Sequence, residues 1–423
     1  MKVGLEVFPQ FEDTHEGEIS VHGQRLEPSV LYLAPKMLGV EVEFIPDNEP
    51  REDIDLYLCS IYTRGWKRFK EFSERVGREK IIAGDYHPTA LPEDCLPYAH
   101  KVVPGLCGDI ESIIEEPNEG IYTRPFAPRV MRRDLVDMTK MYQVFPDVKP
   151  DMMTGSSNSS VGCPYDCDFC STPKLSGQRM HSSPLEVVEA DIASLKEHEV
   201  KVVFIRDESF ATHPKFRDIV PLYGKADFPI LYSFGTGHAM TEEKTKLLAD
   251  NNWHSLCFGL EDVGVQYRKN VRLAEACRMC HEYGINITLS FIVNDDGKTR
   301  EEAAQNYQAL YDAFTTLRPS QVCANFLMPF PGTGIWDKYK DRITEDDFEK
   351  YDSKTPILSP PELHDWHRHM AVAVQLAYYH SKAYPRNFEC GDTQHLRFQE
   401  LEQRYDMADG KWEKWFKPER ATE

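Results

Sequence analysis

The order of apolar and polar positions divides this chain into short runs with the period of strands and longer runs with the period of helices. Over residues 1–115 the stretches KVGLEVF, GVEVEFI, IDLYLCSIY and EKIIAGDY read as buried or half-buried strands. EPSVLYLAPKML and RGWKRFKEFSERV carry helical periodicity between them. That alternation predicts an open α/β sheet. Residues 116–150, with several prolines and scattered charges, read as an ordered linker.

A second alternation runs from 151 to 345. Its strand candidates are the stretch before Cys163, then KVVFIRD, PILYSFGT, WHSLCFGL, INITLSFIV and QVCANFLM. SPLEVVEADIASLKEH, TEEKTKLLADN, YRKNVRLAEACRMCHEY and REEAAQNYQALYDAF supply helices, while the segment after RDESF, with Pro214 and Pro221, is less regular. Six strands, each with a crossover, predict a parallel sheet curling into a partial (β/α)6 barrel. Functional groups on such a barrel sit on loops at the strands' C-terminal ends. Residues 346–423 read as a closing helical segment. Its stripe of Trp366, His367, His369, Tyr378 and Tyr379 is read first as core or amphipathic surface and second as the cap of a substrate pocket.

Charge narrows the partners. The formal net charge is −20, with no basic run, which argues against a nucleic-acid surface because phosphate binding needs a positive footprint. The opening MKVGLEVFPQ has too short an apolar run for a signal peptide, and no stretch reaches a membrane span. Eleven cysteines without a secretion signal predict a reducing cytoplasm, where clustered thiols hold metal more often than they form disulfides.

Three thiols stand together in GCPYDCDFC: Cys163, Cys167 and Cys170, spaced C-x3-C-x2-C. On a helix they would share a face and serve as core. Gly162 before and Pro164 after the first cysteine favour a loop or helix start instead, and Asp166 and Asp168 make a poor apolar stripe. A structural zinc would need a fourth ligand, and His181 is the nearest downstream candidate. An iron–sulfur cluster held by three thiolates would keep one iron open for chemistry.

CPYDCDFC, with Phe169 before the last cysteine, resembles the signature of radical S-adenosylmethionine (SAM) enzymes. The resemblance implies a 4Fe-4S cluster whose open iron chelates S-adenosylmethionine, which one electron cleaves to methionine and a 5′-deoxyadenosyl radical. It places the backbone at Phe169 near the adenine. FIRDESF resembles the acidic element ending the second barrel strand, implicating Asp207 and Glu208 at the cosubstrate's amino group or in closing the site. GLED resembles a glycine–glutamate element near the ribose, implicating Glu261. MPFPGT resembles the turn ending the sixth strand in the subgroup with an N-terminal cobalamin-binding-like domain. The chain departs from relatives at IVNDDGKT, and no cosubstrate contact is assigned there. Taken singly, an acidic residue at a strand end is a helix cap or a solvated group. Cys277 and Cys280, in helical periodicity, and Cys59, Cys257 and Cys323, in strand candidates, read as buried thiols.

In the first domain AGDYHPTALPED resembles the glycine–histidine–proline turn of cobalamin-binding-like domains, and VVPGLCGDIESII the next strand-to-helix turn, with its usual glycine–glutamate pair altered. Small residues at the carboxyl ends of parallel strands let backbone approach a bulky ligand. Gly84, His87, Pro88, Thr89 and Gly105 are the expected contacts, with Ser60 and Tyr62 after the third strand. DTHEGE places Asp13 and His15 as a cobalt-ligating motif would but brings Gly17 one residue early, so a solvated loop histidine is the default.

The expected fold is therefore α/β: a Rossmann-like, cobalamin-binding-like open sheet (1–115), a linker (116–150), a partial (β/α)6 radical SAM barrel (151–345) and a C-terminal helical segment (346–423). The expected activity is cobalamin-dependent radical methylation of a small-molecule substrate, fed by a reductant such as flavodoxin or ferredoxin. A radical enzyme without cobalamin, performing rearrangement, cyclisation, dehydration or carbon-chain transfer beside a vestigial N-domain, is the alternative. An iron–sulfur or zinc sensor is the third reading. Methylthio transfer to transfer RNA is disfavoured by the acidic charge and by the lack of another three-cysteine set in the N-domain.

Overall fold

A computed structural model describes residues 1–8, 19–21, 24–26, 29–141, 152–265, 267–294, 296–385, 401–403 and 405–418. The DTHEGE stretch lies outside them. The first sheet is built from β1 (Lys2–Phe8), β2 (Glu41–Phe44), β3 (Leu56–Ile61), β4 (Ile81–Gly84), β5 (Lys101–Val103) and β6 (Gly120–Ile121). All pairings are parallel, and the order is β2-β1-β3-β4-β5-β6. β1 is buried from Val3 to Phe8, as expected of a parallel strand covered on both faces. Val3, Leu5 and Val7 join Leu58, Ile82 and Val103 in one core cluster, closed by Ile110 and Ile113 of the helix Ile110–Glu115. The opposite face meets α1 (Trp66–Val76), where Phe8 touches Phe69 and Phe72 edge-on at 5.4 Å each.

Six further parallel strands follow: β7 (Thr154–Ser157), β8 (Val202–Ile205), β9 (Ile230–Phe234), β10 (Trp253–Glu261), β11 (Asn286–Val293) and β12 (Gln321–Phe326). β7 pairs with β8, and β9, β10, β11 and β12 pair in sequence order. Helices Leu185–Glu197, Phe216–Lys225, Glu242–Asp250, Leu273–Glu282 and Arg300–Leu317 fill the crossovers, which is the expected α/β alternation. The described residues within Met1–Val144, Met152–Glu208 and Pro329–Asp352 form one compact unit; those within Ser209–Met328 and Ser353–Glu423 form another. Among the described residues no helix is long and apolar enough to cross a membrane.

Three elements differ from the periodicity. Of EPSVLYLAPKML, the described residues 29–38 form only a short 3-10 turn, Ser29–Leu33, because Pro35 has no amide hydrogen and its ring would clash with a helical carbonyl one turn back. The helix expected from Tyr267 starts at Leu273, since Arg272 sits at φ 75°. The irregular stretch after RDESF contains a full helix, Phe216–Lys225, with Pro221 inside it. The proline-rich stretch after 116 also contributes structure. Gly120–Ile121 is the sheet's last strand, and Arg133, 1% exposed, donates to Asp191 at 2.8 Å. Asp191 also accepts from Ser157 Oγ at 2.6 Å, so this buried pair ties the helix Leu185–Glu197 to the end of β7.

Candidate active site: a cysteine loop and a cleft

The cysteine loop leaves the carboxyl end of β7. Its course is set by Asp207, which follows β8 and has no exposed surface. The Asp207 carboxylate accepts from Ser159 N at 2.7 Å, Ser159 Oγ at 2.6 Å and Ser160 Oγ at 2.5 Å. Ser160–Val161 then pairs with His181–Ser182 in a two-residue antiparallel ribbon. Gly162 turns the chain at φ 94°, and a Cβ there would lie 2.2 Å from Arg179 O, so only glycine fits. Its amide donates to Glu208 Oε2 at 2.9 Å.

Cys163, Cys167 and Cys170 follow on this loop, closed by a turn in which Cys170 N donates to Cys167 O at 3.0 Å. The backbone of Ile335 donates to Asp168 O at 3.0 Å, so the PGTG turn also anchors the loop. The three thiols are half-buried, whereas the other seven described cysteines are buried. Phe169 is half-buried as well. His181, the nearest downstream candidate for a fourth zinc ligand, points Nε2 at Ser176 O, 3.1 Å away, and sets its ring edge-on to Phe126. Among the described residues no three Cys, His, Asp or Glu side chains converge as the ligands of a single ion would.

A cleft of about 1280 Å³, solvent at its mouth included, opens over the carboxyl ends of β3, β4 and β5. Leu58, Ile82, Val103 and Ile110 make its apolar floor, and Phe126 and Pro128 one side. Asn158, Val161, Leu175, Ser183, Arg206 and Glu208 bring the surroundings of the cysteine loop into the opposite wall.

Of the expected contacts, Ser60, Tyr62, Gly84 and Gly105 line this cleft. Gly84 and Gly105 keep the wall low: a Cβ on either would approach a backbone carbonyl at 3.4 Å, and Gly105 has φ 79°. Thr89 sits behind them as a latch. Its hydroxyl donates to Asp85 O at 2.6 Å and accepts from Gly105 N at 2.8 Å. His87 faces away from the cleft. It has no exposed surface, stacks on Trp66 at 4.4 Å, and burial pushes its pKa down to about 3, with Lys70 adding a smaller push. Pro88 is buried beside it. Both belong to the packing under the turn. Glu261 lies on β10, 5% exposed at φ 60°, and pairs with Lys269.

The wall also holds Asp85, Tyr86 and Arg206, which sequence reasoning passed over. Asp85 adopts φ 85° and ψ −157°, a conformation that favours glycine. It is held by Ser60 Oγ at 2.6 Å and Tyr86 N at 2.9 Å. Burial raises the Asp85 carboxyl above its usual range, against the pull of Ser60, Tyr86 N and Arg206. Burial, with Asp207 adding repulsion, pushes Glu208 up to about 7. Tyr62 and Tyr86 rings lie 5.4 Å apart. The available signal was the GDY and RDE strings, but only the positive φ of Asp85 turns its side chain to the wall.

Comparison with known proteins follows this geometry. The Radical SAM superfamily model matches residues 157–310. A bacteriochlorophyllide d C-12(1)-methyltransferase of Chlorobaculum tepidum is 23% identical over 302 residues, 67% of this chain and 65% of that protein. The chain thus spans less than two thirds of that relative, and 35% and 38% of two anaerobic magnesium-protoporphyrin IX monomethyl ester cyclases. Among solved structures, the radical S-adenosylmethionine methyltransferase TsrM of Kitasatospora setae, with tryptophan substrate and a SAM analog bound, aligns with TM-score 0.60 at 15% identity, covering 98% of this chain and 99% of that one. Its form with cobalamin and a [4Fe-4S] cluster gives TM-score 0.59 at 16% identity, covering 81% and 78%. The cobalamin-dependent radical enzyme OxsB gives 0.52 at 12% identity, covering 97% and 62%.

Proposed function

We propose that the chain is a radical SAM enzyme of the subgroup with a cobalamin-binding-like N-terminal sheet, and within it a cobalamin-dependent radical methyltransferase acting on a small molecule; the match of residues 157–310 to the Radical SAM superfamily model and the likeness in fold to TsrM and OxsB support this reading. The observation that carries the reading is three half-buried thiols on a loop whose surroundings form one wall of a large cleft. When bound, a 4Fe-4S cluster supplies the electron that cleaves S-adenosylmethionine, and cobalamin carries the methyl group. The residues present fit both groups. Cys163, Cys167 and Cys170 would hold the cluster, with Phe169 beside the adenine. Ser60, Tyr62, Gly84, Asp85, Tyr86 and Gly105 would receive the corrin over an apolar floor.

The chain's own work is positional. Asp207 has its carboxylate taken up by three donors from Ser159 and Ser160, so it fixes the approach to Cys163. Glu261, folded over Gly259 and paired with Lys269, is the acid we assign to the cosubstrate ribose. Burial raises the Asp85 carboxyl above its usual range and raises Glu208 to about 7, so Glu208 can take up or release a proton near neutrality. Electrons come from a flavodoxin- or ferredoxin-like donor in this reading.

The test is anoxic reconstitution with iron, sulfide and cobalamin, followed by product analysis with S-adenosylmethionine and reductant. Methyl transfer yields S-adenosylhomocysteine together with 5′-deoxyadenosine. Formation of 5′-deoxyadenosine alone would remove the methyl transfer and leave the radical chemistry standing.

A further inference from the structure

We propose that Glu208 is the positioning residue that couples cofactor binding in the cleft to cluster loading on the cysteine loop; the inference rests on the function proposed above. Its side chain has two environments at once. It forms part of the cleft wall, and its Oε2 accepts the amide of Gly162 at 2.9 Å, the residue directly before Cys163. Gly162 has little room to adjust. Its φ of 94° and the 2.2 Å approach to Arg179 O leave one backbone course through this point. The neighbouring acid cannot take over, because Asp207 is spent on Ser159 and Ser160. A ligand that fills the cleft presses on Glu208 and thereby on the first cysteine's approach. The reverse also holds, since any energetic coupling between two sites acts equally in both directions.

Losing the Glu208 acceptor leaves Gly162 N–H without its partner in a half-buried turn. Removing the side chain therefore weakens both sites, by roughly 10-fold or more each. Glutamine keeps a carbonyl oxygen at the same reach.

The experiment uses the full chain, reconstituted anoxically. Iron and sulfide per chain and the spectrally titrated affinity for hydroxocobalamin are measured separately, with thermal melting as a folding control. For Glu208→Ala we expect cluster loading and cobalamin affinity to fall together, and for Glu208→Gln both to return to near wild type. Should the alanine variant not fold, Glu208→Asp, one methylene short of Gly162, carries the same expectation. Loss at one site alone, loss at neither, or a glutamine variant as deficient as alanine overturns the coupling. Wild-type protein that takes up no iron and sulfide would instead defeat the radical SAM reading, and is distinguishable because no variant is involved.

Discussion

Two regions of this chain carry closely spaced cysteines, and they come to opposite ends. Cys277 and Cys280 lie in the helix Leu273–Glu282, both buried, and burial pushes the Cys277 thiol up to about 12. Cys163, Cys167 and Cys170 lie on a loop, half-buried, directly after Gly162, which has no room for a side chain and whose amide is held by the Glu208 carboxylate. The spacing C-x2-C occurs in both regions. What differs is the backbone: a helix turns its thiols into a core of neighbours, whereas a loop held from outside leaves them half-buried. In the function proposed above, ligand character is conferred by the frame around the thiols.

The sharpest way to break this contrast is to remove one thiol at a time. Each of Cys163→Ala, Cys167→Ala and Cys170→Ala is expected to abolish iron and sulfide uptake and to lower 5′-deoxyadenosine release beyond the roughly 100-fold that loss of an outer partner brings. The paired variant Cys277→Ala/Cys280→Ala should keep wild-type iron and sulfide content.

The loop's footing comes next. Asp191→Ala leaves the Arg133 guanidinium buried without its carboxylate, though still donating to Ser156 O and Ser194 Oγ, and should cost about 3–5 kcal/mol in chemical denaturation. The double helix-cysteine variant should cost less, about 1–2 kcal/mol, as a pair of small cavities.

A smaller effect separates the two groups by pH. The folded pKa of Cys277 is raised above its reference value of 9.0. Its contribution to stability is thus fully present below pH 9 and is lost as pH rises from 9 toward 12. Cys277→Ala should flatten that decline by about 1 kcal/mol at pH 10, measured by urea denaturation.

The same contrast explains how far the sequence could be read. The cysteine loop was legible because Gly162 and Pro164 exclude a helix interior locally, and the parallel strands were legible because their burial is continuous from Val3 to Phe8 or Ile287 to Leu289. Phe216–Lys225 was not, because Pro221 looks like a breaker, although a helix can form around it when its apolar residues Phe216, Ile219, Val220 and Tyr223 are buried. In the cleft, Ser60, Gly84 and Gly105 follow from their places at strand ends. Asp85 depends on a backbone angle rare outside glycine, and Arg206 and Glu208 on which residues the tertiary fold brings to one wall. His87 illustrates the converse: a motif residue whose side chain the fold stacks on Trp66, away from the cleft.

The central claim is a cluster held by three thiolates with one iron left for S-adenosylmethionine. The most direct measurement is electron paramagnetic resonance of anoxically reconstituted, dithionite-reduced protein with and without S-adenosylmethionine. A reduced four-iron signal that changes on adding the cosubstrate, and disappears in Cys163→Ala, is the result expected. A protein without iron and sulfide, or a signal indifferent to S-adenosylmethionine, would contradict it.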